Sequence, residues 1–266
     1  MRDLFPDDRE RLSLDPGAVL LGGFALPVDR YLLEVITHVA ETAPFRHLET
    51  PGGRRMSVAM TNVGRLGWVS DRHGYRYSPL DPLTGRPWPT MPPDLAALAT
   101  NAAATAGFPN FAPEACLINR YASGAKLSLH QDRDERNLDQ PIVSVSLGVD
   151  ARFLWGGQSR TDRPRRVALH DGDVVVWGGP ARLTYHGVDT LIESSHPLTG
   201  TLRYNLTFRT VTWARPRRQI CIRARHRRPV GERFDTPPVL TGEEVKQDVR
   251  LDCTLPGMRH RESRSG

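Results

Sequence analysis

Arg203-Tyr204-Asn205-Leu206-Thr207-Phe208-Arg209 alternates without a break. Tyr204, Leu206 and Phe208 fall on one face of an extended strand, and Arg203, Asn205, Thr207 and Arg209 fall on the other. Taken alone, such a segment is a surface strand with a charged outer face and an apolar inner one. In a barrel with a polar interior the same strand turns its arginines inward, where each guanidinium needs an anion. Either way it belongs to a sheet, and its neighbours extend that sheet. Cys116–Tyr121, Ile142–Leu147, Val167–Leu169, Val174–Trp177 and the run Leu202–Thr212 are short β patterns separated by Gly, Pro, Asp and Ser clusters. Their length and spacing predict a β-sandwich or barrel.

Helices precede these strands. Val28, Tyr31, Leu32, Val35, Ile36 and Val39 recur at amphipathic helical spacing, with Pro27 and Asp29 near the start. A second helix is predicted from Pro93 to Ala106, with Leu95, Leu98 and Ala102 on one face and Gly107 as its stop. Between the two, residues 56–94 are rich in Gly, Pro, Tyr and Trp, which predicts strands and a functional loop.

The 266 residues carry a formal charge of +6, which invites a nucleic-acid reading. Its distribution does not support that inference. Residues 1–210 hold 23 basic and 23 acidic side chains, whereas residues 211–266 hold 13 and 7. The excess therefore belongs to a C-terminal segment whose Arg, Pro and Glu content and lost periodicity read as a mobile tail. Cys116, Cys221 and Cys253 are scattered, without the spacing of a disulfide framework or a thiolate zinc site, which suits a reducing cytoplasm. No apolar run reaches 18 residues, and Met1 to Glu10 is mixed in charge, so neither a membrane span nor a signal segment is expected.

His130-Gln131-Asp132 is the first chemical signal. On a strand or strand end, positions i and i+2 share a face, so an imidazole nitrogen and a carboxylate oxygen can meet at one divalent ion. A third ligand is needed, and His170, His186 and His196 are the candidates. His186 is preferred because Tyr185-His186-Gly187 follows the apolar strand Val174–Trp177 and its glycine turn. Two His and one carboxylate form the triad that holds Fe(II) with open positions. Combined with two inward arginines, such a triad predicts a small dianionic co-substrate such as 2-oxoglutarate, since Arg suits bidentate carboxylate binding.

These features resemble the AlkB family of 2-oxoglutarate/Fe(II)-dependent dioxygenases. The resemblance extends to Thr50-Pro51-Gly52-Gly53, to residues 56–62, to Leu66-Gly67-Trp68, and to residues 117–121, 127–130, 142–148 and 171–179. It covers roughly residues 15–210 and leaves the tail without a counterpart. It implies an α+β, mainly β fold, a double-stranded β-helix or jelly roll with N-terminal helices and a nucleotide-recognition lid. The corresponding division is a lead-in over 1–14, helices and lid over 15–110, the jelly-roll core over 111–212 and the tail over 213–266.

By this resemblance His130, Asp132 and His186 bind Fe(II), and O2 is the second co-substrate. Asn119, Tyr121, Arg203, Asn205 and Arg209 hold 2-oxoglutarate, with Arg203 and Tyr121 at the distal carboxylate and Arg209 and Asn119 nearer the metal. Trp68 and Asp134 match a base-stacking and a base-reading position, although alone Trp68 reads equally as a packed aromatic and Asp134 reads first as part of a solvated acidic loop. Tyr75, Arg76, Tyr77 and Arg160 match contacts to the nucleotide backbone. The implied activity is direct repair of alkylated nucleic acid, oxidative demethylation of N1-methyladenine and N3-methylcytosine in DNA, with RNA as a further substrate, by a cytoplasmic monomer. Formaldehyde is released, and 2-oxoglutarate becomes succinate and CO2. The rival enzyme reading is a related dioxygenase acting on modified RNA bases or on a substrate other than nucleic acid. A non-catalytic nucleic-acid-binding scaffold is a further rival, against which the intact triad and both arginines count.

Overall fold

A computed structural model describes residues 11–212 of the chain. The tail at 213–266 and most of the lead-in lie outside the described residues. Strands β1 (Leu12–Asp15) and β2 (Ala18–Leu21) open the fold, followed by helix α1 (Asp29–Thr42) and strands β3 (Arg46–Glu49) and β4 (Arg55–Gly64). A hairpin of β5 (Gly67–Asp71) and β6 (Gly74–Ser78) and helix α2 (Pro93–Thr105) come next. The remaining strands are β7 (Ala115–Tyr121), β8 (Leu127–His130), β9 (Ile142–Gly148), β10 (Ala151–Trp155), β11 (Arg165–Leu169), β12 (Val174–Trp177), β13 (His186–Val188) and β14 (Arg203–Arg209).

Eight strands form one antiparallel sheet in the order β1-β2-β12-β9-β14-β7-β4-β3. Four more form a second sheet in the order β11-β10-β13-β8, and the β5–β6 hairpin stands as a separate two-stranded ribbon. This is the expected mainly-β architecture. The change of pattern near residue 110 is not a break in packing, because β2 and β4 are members of the large sheet beside β12 and β7.

Both predicted helices form with the expected faces. In α1, Leu32, Val35, Ile36 and Val39 are buried, and in α2 Leu95, Ala99, Ala102 and Ala103 are buried. These side chains share a core with Val143, Val145 and Leu147 of β9 and with Leu206 and Phe208 of β14. The helices therefore cover the apolar face of β14. A second core, including Tyr121, Ile142, Phe153, Trp155 and Trp177, joins the other face of the large sheet to the small one. Arg203, Asn205, Thr207 and Arg209 are turned into that interior and are all buried. Of the two readings of this strand, the inward one is realised.

Several strands have no clear counterpart in the β pattern. β8, β10 and β13 are short, and β13 contains Gly187, where an added Cβ would meet the Leu127 carbonyl oxygen at 2.5 Å. Glycine there lets β13 lie close against β8. β14 also ends at Arg209, short of the expected Thr212.

Candidate metal centre and co-substrate cradle

The small sheet sets the first two ligands opposite each other, since His186 on β13 is the register partner of His130 at the end of β8. Their rings lie 4.4 Å apart between centroids. Asp132 sits beyond the strand in the following loop, so its approach owes nothing to strand alternation. Asp132 Oδ1 is 3.6 Å from His130 Nε2, and Oδ2 is 3.8 Å from His186 Nε2. Ligand atoms of all three residues lie within 4.8 Å of one another.

The surroundings prepare these groups for a cation. His130 Nδ1 is 2.9 Å from the Ser128 carbonyl, and His186 Nδ1 is 2.9 Å from that of Thr184. A carbonyl only accepts, so Nδ1 carries the hydrogen and each Nε2 keeps a lone pair for metal. Burial, reinforced by the charge at His130, pulls the His186 pKa down to about 4, leaving its imidazole neutral near pH 7. Burial alone would raise the pKa of Asp132, but Arg209 and the two imidazoles hold it well below the usual carboxylate range. Arg209 Nη2 donates to Asp132 Oδ2 at 2.7 Å, and its Nε donates to the same oxygen at 3.2 Å.

Beside the triad, β7 and β14 pair Tyr121 with Arg203 and Asn119 with Asn205. Asn119 Nδ2 donates to Asn205 Oδ1 at 3.3 Å, and Asn205 Nδ2 donates to Ser144 Oγ at 2.8 Å. Arg203 is 1% exposed, with its guanidinium carbon 4.9 Å from the Tyr121 ring centroid. Its Nη2 donates to Ser146 Oγ at 2.9 Å. Arg203 Nε and Nη1, the Tyr121 hydroxyl and Asn119 Oδ1 are buried without a hydrogen-bond partner. Buried polar atoms are rarely left so, and the Arg203 and Tyr121 donors among them fit the carboxylate of a bound acid. Arg209, about 20 Å along the strand from Arg203 by strand rise, has protein counter-charges instead, in Asp132 and Glu135. One dicarboxylate is thus not needed to balance both arginines.

Two residues past Asp132 in the same loop, Asp134 Oδ2 accepts from Trp68 Nε1 at 2.8 Å, and the Trp68 ring stacks on Tyr75 with centroids 5.5 Å apart. Asp134 arrives there on a loop, since β8 has ended four residues earlier. Tyr75 is exposed, and Arg160 is exposed in the connection between β10 and β11. Arg76 donates to Asp71 at 2.7 and 2.9 Å, and the Tyr77 hydroxyl is turned inward onto Glu135. Of the expected nucleotide contacts, Trp68, Tyr75 and Asp134 are brought together, whereas Arg76 and Tyr77 are engaged by protein groups. His170 and His196, the passed-over ligand candidates, pair with Asp150 at 2.9 Å and Asp171 at 3.7 Å. Sequence reasoning missed Ser144, Ser146, Glu135 and Arg182. The serines alternate with apolar residues on β9 and could have been read as inward; no local signal marks the other two.

The profile of the 2OG-Fe(II) oxygenase superfamily matches residues 17–209, which include every residue of the triad and cradle. The chain belongs to this superfamily. The donor sets just described suit the Fe(II) and 2-oxoglutarate for which the superfamily is named. Among its members, alpha-ketoglutarate-dependent dioxygenase AlkB of Salmonella typhimurium is 56% identical over 210 residues, covering 79% of this chain and 97% of the relative. AlkB of Escherichia coli has the same identity and coverage. A tRNA demethylase of Schizosaccharomyces pombe, abh1, is 33% identical over 51% of this chain and 46% of its own. The solved structure of OsALKBH1 superposes with a TM-score of 0.65 at 29% identity, covering 75% of this chain and all of that one. The fold is thus the superfamily's jelly roll, and the chain is a 2-oxoglutarate- and Fe(II)-dependent dioxygenase.

Proposed function

We propose that this enzyme demethylates N1-methyladenine and N3-methylcytosine in DNA, and in RNA as a second substrate, with release of formaldehyde. The observation that carries this reading is the pair Trp68 and Asp134, a flat indole and a carboxylate joined at 2.8 Å, two residues from Asp132. A base methylated at these positions is planar and cationic, so it calls for a ring to stack on and an anion beside it. The methyl group lies on the pairing edge, so the base must come from a single strand or be flipped out. Methylation already blocks pairing, which lowers the cost of flipping. The AlkB relatives and the tRNA demethylase support a nucleic-acid substrate.

In this reading His130, Asp132 and His186 hold Fe(II). Asn119, Tyr121, Arg203 and Asn205 hold 2-oxoglutarate, with Arg203 supplying the buried cation for the distal carboxylate, and Arg209, bound to Asp132, closes the cradle at its metal end. Bound iron supplies the oxidising chemistry, in which O2 and 2-oxoglutarate are consumed, succinate and CO2 leave, and the N-methyl group is hydroxylated. The protein's part is orientation. Ser128 and Thr184 aim the two Nε2 atoms, Arg209 keeps Asp132 ionised, and Trp68 with Asp134 holds the cationic base until the hydroxymethyl adduct collapses to formaldehyde and free base. Tyr75 and Arg160 reach the nucleotide backbone from exposed positions, while Arg76 and Tyr77 line the same hairpin. The proposed working unit is a monomer, because one chain supplies every element of the site. The proposed setting is the cytoplasm, where the buried, unpaired Cys116 stays reduced. Among the described residues no helix is long and apolar enough to cross a membrane.

The test is formaldehyde release from an oligonucleotide carrying 3-methylcytosine, dependent on added Fe(II) and 2-oxoglutarate. Protein that converts 2-oxoglutarate to succinate yet releases no formaldehyde from DNA or RNA oligonucleotides would remove the nucleic-acid reading.

A further inference from the structure

Glu135 lies three residues past Asp132, in an acidic run that composition would leave in solvent, yet it is 6% exposed. A carboxylate so buried needs donors on both oxygens. Oε2 accepts from Arg182 Nη2 at 2.9 Å and Oε1 accepts from the Tyr77 hydroxyl at 2.5 Å, while Arg209 Nε lies 3.2 Å from Oε1 as an ion pair. The three partners come from different parts of the fold. Arg209 ends β14 and also grips the Asp132 carboxylate. Arg182 follows the short turn after β12 and also donates to the backbone carbonyl of Asp132 at 2.5 Å and to that of Gln140 at 2.9 Å. Tyr77 belongs to β6 of the separate hairpin. Asp132 is thus held at its carboxylate by one arginine and at its backbone by another. Both arginines are held by Glu135, and Glu135 is capped by the hairpin.

We propose that Tyr77 and Glu135 are positioning residues that couple docking of the β5–β6 hairpin to the metal-binding geometry of Asp132. With the hairpin docked, Glu135 is fully bonded and fixes Arg209, and Arg209 fixes Asp132 with its carboxylate toward both imidazoles. With the hairpin lifted, Glu135 loses the one donor that the core does not supply and swings to recover it, and Arg209 and Asp132 are freed with it. The docked form therefore binds a divalent cation more tightly, and by reciprocity cation binding favours the docked hairpin. The other side-chain ties of the hairpin are Trp68 Nε1 to Asp134 in the same loop, Asn62 to the Trp68 backbone at 2.9 and 3.0 Å, Ser70 to the Glu49 carbonyl at 2.5 Å and Trp88 Nε1 to the Ser78 carbonyl at 2.9 Å, and Val69 packs with Trp88 and Ala43; of these partners only Asp134 shares the loop of Asp132. The proposal rests on Asp132 as a metal ligand and is independent of the substrate.

Tyr77→Phe removes the hydroxyl alone. In the full chain, Mn(II) binding in the presence of 2-oxoglutarate is measured by calorimetry, and amide hydrogen exchange over residues 67–78 is followed without metal and with saturating Mn(II) and 2-oxoglutarate. In the wild type, loading should slow hairpin exchange by roughly 5- to 20-fold, within the usual range of coupling between sites. In Tyr77→Phe most of that response should vanish, and the Mn(II) Kd should rise about 3- to 10-fold. A variant that binds Mn(II) as tightly as the wild type overturns the coupling. So does a wild-type hairpin whose exchange ignores the metal. A hydroxyl with a merely structural role would speed hairpin exchange equally with and without metal and leave the Mn(II) Kd unchanged, which also overturns it. Wild-type protein that binds no Mn(II) removes the metal site itself, and the proposal with it, whereas failure of the formaldehyde assay alone leaves it standing.

Discussion

Replacing Arg203 by methionine should weaken 2-oxoglutarate binding by two to three orders of magnitude without destabilising the ligand-free fold. Arg203 is 1% exposed, and burial pushes its pKa down. Its protein contacts are one hydrogen bond to Ser146 Oγ at 2.9 Å and the face of Tyr121 at 4.9 Å. Together these contribute about 2–5 kcal/mol, from about 1.5–3 for a hydrogen bond from a charged group and roughly 0.5–2 for the ring contact. Against them stand the desolvation of a guanidinium, several kcal/mol in a protein interior, and the unbonded Nε and Nη1, at about 1–3 kcal/mol each. Methionine fills similar volume with no polar atom to satisfy, so the balance without ligand falls near zero or favours the variant. A bound carboxylate reverses it, because truncating one partner of a buried, hydrogen-bonded charge pair costs about 2–5 kcal/mol. At about 1.4 kcal/mol per decade, the middle of that range gives the stated loss. Thermal melting of the metal-free protein without co-substrate, with calorimetric titration of 2-oxoglutarate into the Mn(II)-loaded protein, measures both quantities. A variant that melts several degrees lower while binding 2-oxoglutarate within tenfold of the wild type would show that Arg203 is a structural cation, and the cradle assignment would fail.

Two further predictions concern neighbouring groups. Asp134→Ala removes the acceptor of Trp68 Nε1 but no member of the triad or cradle. Oxidation of 2-oxoglutarate in the absence of nucleic acid should stay within about threefold of wild type, whereas formaldehyde release from 3-methylcytosine should fall by about 10- to 100-fold, the equivalent of 1.4–3 kcal/mol. Equal loss of both would put Asp134 in the metal or co-substrate site. Asp81, 1% exposed, is held by Arg46, the Leu83 N–H at 2.9 Å and Thr84 at 3.2 Å. Burial opposes its ionisation, but these donors outweigh burial and hold the carboxyl below its ordinary value. A depressed folded-state pKa means stability that is fully present above the unfolded value of about 4 and is lost as pH falls through the folded one. Asp81→Ala should therefore cost about 2–3 kcal/mol in urea unfolding near neutral pH, with the gap to wild type narrowing below about pH 4. A gap independent of pH would mean that packing, not charge, accounts for it.

Much of the site was legible because its residues are close in sequence. Arg203-x-Asn205-x-Thr207-x-Arg209 and His130-x-Asp132 display period-two spacing directly, and the helical faces of α1 and α2 follow from their apolar positions. Other parts were reached for reasons the structure replaces. Asp132 and Asp134 converge on their partners from a loop, where strand alternation does not apply. Two inward arginines suggested one dianion for both, but Arg209 finds its counter-charge in Asp132, 77 residues away in sequence. Nothing local distinguishes Glu135 from a solvated carboxylate, because its burial is created by Tyr77, Arg182 and Arg209, which are 58, 47 and 74 positions distant.

The sequence alone determined the two faces of β14, the residue types that could bind a metal and an acid, and a resemblance strong enough to imply a dioxygenase. The tertiary structure alone decided which face is inside. Alternation is symmetric and says only that the two faces differ; α1 and α2 break the symmetry by covering Leu206 and Phe208, which leaves the arginines no side but the interior. It also bore out the preference for His186, since of the three candidate histidines only His186 is paired across the sheet with His130. Both outcomes rest on contacts between segments far apart along the chain, where the cost of burying charge is settled by whatever partner the fold brings to it.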